Sequence, residues 1–481
     1  MRTADAEPHL AEPDAATLVG LRDALKRADY TESRTAAALG SRPPLQRTRR
    51  EVYRRRLSAA GDLGTLVRLF RLGDPIARDD AAAALAPTDV GALVEAGILD
   101  ARDDAVVAAV ELSPYEGLFL AHDRLEAEEA PASWHVIFGS ASRTLAALTI
   151  RRPIRLALDL GTGCGVQALL AARHAEHVIA TDLADRALTF TRINAALNGA
   201  GNVECRQGDL FAPVEGERFG LIASNPPFVI SPEAELVFRD SGLPGDEISR
   251  RVVAGAAEHL EDCGHATILC NWIRSPDDHW STAPRGWLKH DCDALLLQFT
   301  SVAPLEYAAM WTGEFDRWLA YYAEEEIEAI STGAVVLRRT DLGGRVIAYQ
   351  ANSAPKANAG EQFLRIFAAD EAVAANDERL LGEHFRLVDH RLRQEASYRD
   401  GAYTVELTGV EIRGMPLNAR VEAEAVHVLA RLDDSTSLAD VIDRTARETG
   451  LERQALERAT LMTVRRLYER GFLVLSRRSR P

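Results

Sequence analysis

The stretch "IRLALDLGTGCGVQALLAARHA" (154–175) constrains the fold more than any other part of the sequence. It begins as an apolar strand, passes through glycines 161, 163 and 165, and continues as a helix with apolar Val166, Leu169 and Leu170. Glycines at a strand-to-helix turn let the backbone approach a ligand closely, and the helix start offers free N–H groups. The pattern then repeats. The strand "HVIATD" ends at Asp182, the helix "LADRALTFTRINAALNG" stops at Asn198-Gly199, and the strand "NVECRQGD" ends at Asp209. Alternation of this kind predicts an α/β domain built on a parallel sheet with helices on both faces.

The glycine spacing is GxGxG. A dinucleotide fingerprint would need glycine at position 166, where the chain has Val166, so that reading is disfavoured. Asp182, at the tip of the second strand, can accept both hydroxyl hydrogens of a ribose, and Asp209, after the third, can accept from an adenine amino group. Taken singly, each aspartate reads as an ordinary cap or loop residue. Their shared place on the carboxyl edge of consecutive strands argues against coincidence. A fourth strand runs into Asn225, Pro226, Pro227 and Phe228 in "FGLIASNPPFVISP". Two prolines end a strand, and by themselves they are plausible loop punctuation.

At 481 residues the chain predicts two to four domains, and a 47% hydrophobic content suits globular cores. The expected divisions are a flexible tail (1–14), a helical, winged-helix-like N-terminal domain (15–130), the α/β domain (131–345), a linker with a small α/β region (346–420), and a winged-helix-like C-terminal domain (421–481). A net charge of −16 argues against coating nucleic acid over the whole surface, though not against a local basic face. Ten cations between Lys26 and Arg56 face only Asp29, Glu32 and Glu51. They read either as a solvated helix and loop or as a phosphate-binding face. The five cysteines form no CxxC and the twelve histidines no triad, so reduced thiols and no metal site are expected. No apolar run approaches ~20 residues, so no membrane span is expected, and the default location is the cytoplasm.

The runs DLGTGCG, ATD, GDLF and SNPPF together resemble the class I S-adenosylmethionine-dependent methyltransferases. More narrowly, they resemble the branch with an Asn-Pro-Pro-aromatic motif after the fourth strand, which includes release-factor glutamine methyltransferases and base-amino methyltransferases of ribosomal RNA and DNA. The likeness covers about residues 150 to 275. It implies a Rossmann-like sheet and S-adenosyl-L-methionine as cofactor. It further implies that Asp159, Gly161, Thr162, Gly163 and Gly165 shape the methionine-side pocket, that Asp182 binds the ribose, and that Asp209 with Leu210 holds the adenine.

Under that resemblance the proline turn acquires a chemical role. An amide or exocyclic amine is a poor nucleophile because its lone pair is delocalised. The Asn225 side-chain oxygen and the Pro226 carbonyl can accept both N–H hydrogens and free that pair, Pro226 and Pro227 stiffen the turn, and Phe228 can stack on the flat group. The motif specifies a planar NH₂ nitrogen without naming the molecule. Val229 stands where the ribosomal guanine enzymes resemble NPPFH, and Phe228 where glutamine enzymes resemble NPPY. Two winged-helix-like flanks and the basic stretch make an RNA base in ribosomal substrate the expected target, with a protein glutamine amide, as in a release factor, as the alternative and an inactive scaffold as a third reading. Trp272, Trp280, Trp287, Trp311 and Trp318 read as core, or as a substrate cap over Phe228 through Trp280 or Trp287.

Overall fold

The computed structural model describes residues 7–40, 47–124, 134–233, 239–289, 291–341, 344–351, 353–355, 357–369, 371–399, 402–412, 417–433 and 435–476. Its centre is an eight-stranded sheet, whose strands are numbered here: β1 (Ile154–Leu160), β2 (Ala175–Asp182), β3 (Val203–Gln207), β4 (Phe219–Ser224), β5 (Leu260–Arg274), β6 (Cys292–Val302), β7 (Ala329–Arg339) and β8 (Val346–Gln350). The spatial order is β8-β6-β7-β5-β4-β1-β2-β3. β3, β2, β1, β4 and β5 run parallel, and β7 is antiparallel to both β5 and β6. β1 and β4 are buried along almost their whole length, as expected of strands covered on both faces.

Seven helices matter for the site: α1 (Ser140–Leu148), α2 (Val166–Ala171), α3 (Asp185–Asn198), α4 (Glu247–His259), α5 (Pro304–Ala308), α6 (Phe315–Glu324) and, late in the chain, α7 (Gly360–Ala368). α3 stops at Gly199, whose φ of 71° is the left-handed cap that glycine adopts without strain. Ile248, Val252 and Val253 of α4 pack on Leu158, Ile222 and Ile268 from one side of the sheet. On the other side, Leu145 and Leu148 of α1 and Phe363, Ile366 and Phe367 of α7 pack on Leu269, Leu297 and Val336.

Ahead of the sheet, helices from Ala15–Arg27 to Val90–Glu95 are interleaved with a small sheet in which Ile76–Ala77 pairs with Ala105–Ala108, which in turn pairs with Leu99–Arg102. A hairpin, Val110–Tyr115 with Leu118–Asp123, comes next. This unit does not close on itself. Leu18, Leu21, Leu25, Phe119 and Leu120 share one apolar core with Leu169 of α2 and Phe190, Ile193 and Leu197 of α3, so the expected boundary near residue 130 has no physical counterpart in the packing. Four side-chain bonds fasten the hairpin to α3: Asn194 and Asn198 each exchange a donor and an acceptor with the backbone of Ala121 and Phe119.

Behind the sheet, a separate core runs from Ala369 to Leu473. Phe385–Leu387 pairs with the final strand Leu473–Leu475, and the helices Leu438–Thr449 and Arg453–Glu469 lie between them in sequence. The expected division at 420/421 therefore falls inside one core. The expected division at 345/346 also moves, because β8 continues the central sheet by pairing in parallel with β6. Inside the expected linker region, 346–420, lies α7, whose Phe363 is fully buried.

Candidate functional site

The crevice lies where the sheet order reverses, between the carboxyl ends of β1 and β4, the place where open α/β sheets bind ligands. β1 leads into the glycine turn and β4 into Asn225-Pro226-Pro227-Phe228, so both sequence motifs open on one crevice.

The turn is held from beneath. The Asp159 carboxylate, 3% exposed, accepts from the Thr162 hydroxyl (2.7 Å) and the Ala168 N–H (2.9 Å) through the same oxygen. Burial pushes its pKa up to about 6, against the pull of those two donors, and neighbouring Asp182 raises it further. Gly161, Gly163 and Gly165 have φ of 72°, 56° and 79°. Their surroundings differ. A Cβ on Gly165 would stand 2.9 Å from Thr191 Cγ2, so that glycine serves the packing of the turn on α3. A Cβ on Gly161 or Gly163 would meet nothing within 4 Å, so these two face open space, as a ligand cradle requires.

Asp182 is joined to this turn. One of its oxygens accepts the Gly163 N–H at 2.9 Å and the other the Ala184 N–H at 3.0 Å, which leaves each oxygen a lone pair for a further donor. Burial also raises this carboxyl's pKa. The Asp182 carbonyl takes the Gly208 N–H at 3.0 Å, bringing the exposed Asp209 and the half-buried Leu210 to the same edge. Leu210 adopts φ 44°, a left-handed conformation uncommon away from glycine. Such strain fits a residue whose place is fixed by its surroundings.

Asn225 offers the sharpest signal. Its side-chain oxygen is buried and has no hydrogen-bond partner among the described residues. Leaving a buried amide oxygen unmatched costs about 1–3 kcal/mol, which a seated N–H donor would recover. Beside it Pro226 is buried and Phe228 half-buried, the latter packed on the core formed by α1 and α7.

No local pattern in the sequence announces what holds the far side of this turn. Two residues past Phe228, Ile230 gives its N–H to the Tyr307 hydroxyl (3.2 Å), and its carbonyl accepts from the Tyr322 hydroxyl (2.9 Å). Asn271 of β5, three residues beyond the Ile268–Ser224 pair, donates to the same Tyr307 oxygen at 2.6 Å. Burial raises the pKa of both phenols, which stay protonated. Trp318 donates to Glu233 at 3.0 Å and lies fully buried beside Val229 and Ile230. The contacts made to Ile230 and Glu233 span more than seventy residues, and the only hint in the chain is the density of aromatics from 307 to 322.

Trp280 and Trp287 do not form the expected cap. They pack with α4, on the opposite face of the sheet from Phe228. Trp272 lies over Gly333 and donates to the Trp280 carbonyl, which makes these three tryptophans core. The basic stretch is also largely committed. Arg50 and Arg54 converge on buried Asp74, Arg27 bonds the carbonyls of Ala84 and Ala86, and Arg56 that of Leu39. Arg42 and the Arg47 side chain lie outside the described residues. No described helix is long and apolar enough to cross a membrane, and the described residues hold no cluster of metal-ligating side chains.

Residues 137–275 match the family described as "Methyltransferase small domain", and residues 27–109 match a "Domain of unknown function (DUF7059)". Among curated relatives, a release factor glutamine methyltransferase of Xylella fastidiosa (strain Temecula1) is 35% identical over 130 residues, covering 24% of this chain and 47% of its own. A ribosomal protein uL3 glutamine methyltransferase of Bradyrhizobium diazoefficiens is 37% identical over 148 residues, 27% of this chain and 46% of its own. The chain thus spans about half the length of the curated relatives it matches. A solved rRNA methylase of Streptococcus thermophilus aligns at 15% identity and TM-score 0.25, covering 42% of this chain and 95% of that one.

Proposed function

We propose that this chain, whose residues 137–275 match the methyltransferase small-domain family, transfers a methyl group from S-adenosyl-L-methionine to the side-chain amide nitrogen of a glutamine in a protein. The observation that carries the reading is the buried, unpartnered oxygen of Asn225 at the mouth of β4. The Asn-Pro-Pro turn suits any planar NH₂ group. Relatives named for glutamine in a release factor and in uL3 favour the amide over the RNA base expected from the flanks. The commitment of the basic stretch to the protein's own carboxylate and carbonyls points the same way.

The cofactor fits the residues present. Gly161 and Gly163 leave open space above the turn, Asp182 keeps a lone pair on each oxygen for ribose hydroxyls, and Asp209 with Leu210 stands at the same edge for an adenine. When bound, S-adenosyl-L-methionine supplies an electrophilic methyl on a sulfonium. The protein's part is orientation. Asn225 Oδ1 and the Pro226 carbonyl accept the two amide hydrogens, which weakens conjugation and turns the nitrogen lone pair toward the methyl carbon. Phe228 supports the flat amide, and the Tyr307 and Tyr322 hydroxyls hold the turn from beyond it. Neither acceptor is a strong base. The surplus proton leaves to solvent once the C–N bond has formed, when the nitrogen is acidic.

Labelled cofactor given to the full chain with separated ribosomal proteins, release factors and ribosomal RNA tests this. Label is expected in protein, at a glutamine shown by fragmentation to carry one added methyl, and Asn225→Ala is expected to lower transfer about 100-fold with little change in cofactor affinity. Label confined to RNA overturns the amide reading.

A further inference from the structure

Segment 304–328 clamps the loop that follows the proline turn. Tyr307 and Tyr322 take both backbone groups of Ile230, Arg317 donates to the Pro232 carbonyl at 3.2 Å, Trp318 to Glu233, and the Tyr321 hydroxyl accepts from the Gly245 N–H at 2.8 Å. This segment thus forms the acceptor-side lip of the crevice. Its outward face is unusual in two respects.

First, it is apolar where it meets solvent. Leu305 is 51% exposed, Met310 56%, Trp311 38% and Phe315 37%. Among the described residues, four of the ten large hydrophobics left exposed fall within these eleven positions, whereas single exposed ones elsewhere need no explanation. Trp311 is continuous with the site, its ring 6.2 Å from that of Tyr307, which itself holds Ile230. Second, the face is acidic. Between 305 and 328 the chain carries seven carboxylates against Arg317 alone, and all seven side chains are exposed. Glu306, Glu314 and Asp316 border the apolar residues directly in sequence.

We propose that this lip is the docking surface for the substrate, and that it takes a basic polypeptide segment with apolar side chains beside the target glutamine. The inference rests on the amide reading of the site and adds which glutamines it reaches. Lysines or arginines of the segment lie against Glu306, Glu314 and Asp316, and an aliphatic or aromatic neighbour of the glutamine lies on Trp311 and Phe315. Charge complementarity speeds encounter and rejects wrong partners, while the aromatic anchors slow release. A nucleic-acid backbone meets like charge here.

Three fluorescein-labelled probes decide the matter by anisotropy with the full chain: a peptide with a central Ala-Gln-Ala flanked by Lys and Leu, the same peptide with Glu for Lys, and single-stranded oligouridine. The Lys-Leu peptide is expected to bind at least about 10-fold tighter than the Glu-Leu peptide, with the preference shrinking as salt rises. The double variant Glu314→Lys/Asp316→Lys is expected to erase that preference with a thermal midpoint near that of the wild type, because both side chains are exposed, and Trp311→Ala is expected to weaken both peptides about 10-fold. Equal affinity for the two peptides, an unaltered preference in the double variant, or tighter binding of oligouridine overturns the proposal. A transfer assay on the same samples separates the two readings. Methylated protein with no peptide preference refutes the docking surface alone, and a clear preference with label only in RNA refutes the amide alone.

Discussion

Asp159 carries its negative charge in a place that resists it. Its folded pKa of about 6 lies above the ordinary 3.8, so the folded protein holds this proton more tightly than the unfolded chain does. The sign follows directly: stability drains away as pH climbs from about 3.8 to about 6 and is flat above. The amplitude is about 3 kcal/mol, from roughly two pKa units at 1.36 kcal/mol each. Asp159→Asn keeps one oxygen for both Thr162 and Ala168 and removes the charge. Thermal midpoints taken from pH 4 to 7 are expected to rise for the variant relative to wild type as pH increases, and parallel curves would show that Asp159 is ionised without penalty. At this scale much was legible. The glycine spacing, Asp182 and the proline turn could be read because each needs a particular residue type, such as left-handed backbone or a lone-pair donor at a strand tip. Tyr307 and Asn271 could not be read, since nothing local distinguishes a tyrosine that packs from one whose hydroxyl holds a turn 77 residues away.

Within β5 the side chains alternate, and His265, Thr267, Leu269 and Asn271 share the face covered by α1 and α7. The His265 ring is buried, 6.1 Å from the ring of Phe367, and neither nitrogen has a hydrogen-bond partner among the described residues. Burial, reinforced by the charges of Arg152 and Arg338, lowers its pKa to about 3. The unfolded chain takes up this proton near 6.5 and the folded protein does not, so stability is lost as pH falls from about 6.5 toward 3. That is opposite in sign to Asp159 and overlaps it, so the wild-type acid profile is a difference that only the separate variants resolve. His265→Leu replaces two unmatched polar atoms with apolar ones. It is expected to stabilise the protein by about 1–3 kcal/mol at pH 7 in chemical denaturation and to flatten the acid loss. A destabilised variant would mean that the ring has a polar partner. Elements themselves were legible where the period was strong, as in β1, β2 and α3. β8 and α7 were not, because an edge strand of four half-buried residues and an exposed Gln350, followed by Ala, Asn, Ser and Pro, has the composition of a linker, and only the buried faces of Phe363 and Ile366 reveal a packed helix.

The whole molecule has two flanks of unequal independence. The residues from Ala369 to Leu473 hold an apolar core of their own and meet the sheet through Leu417 and through bonds from Gln362 and Arg365 to the carbonyls of Arg470 and Gly471, whereas the N-terminal helices and hairpin complete the core that α2 and α3 begin. A fragment ending at residue 368 is therefore expected to remain soluble with a cooperative thermal transition. A fragment starting at residue 137 would expose Phe190, Ile193 and Leu197 and is expected to aggregate in size-exclusion chromatography. A soluble, monomeric 137–476 fragment would refute the shared core. This asymmetry was hidden from the sequence, where composition changes mark linkers but do not show which apolar faces meet. The Asn194 and Asn198 contacts have a further consequence. Among the described residues the hairpin strand Leu118–Asp123 has a partner strand on one side only, and its other edge would offer a row of free backbone groups. The two side-chain amides, spaced four residues apart on a helix, fill both groups of Phe119 and of Ala121 as a neighbouring strand would. A helix thus blocks strand addition along this edge, protecting the chain against edge-to-edge aggregation.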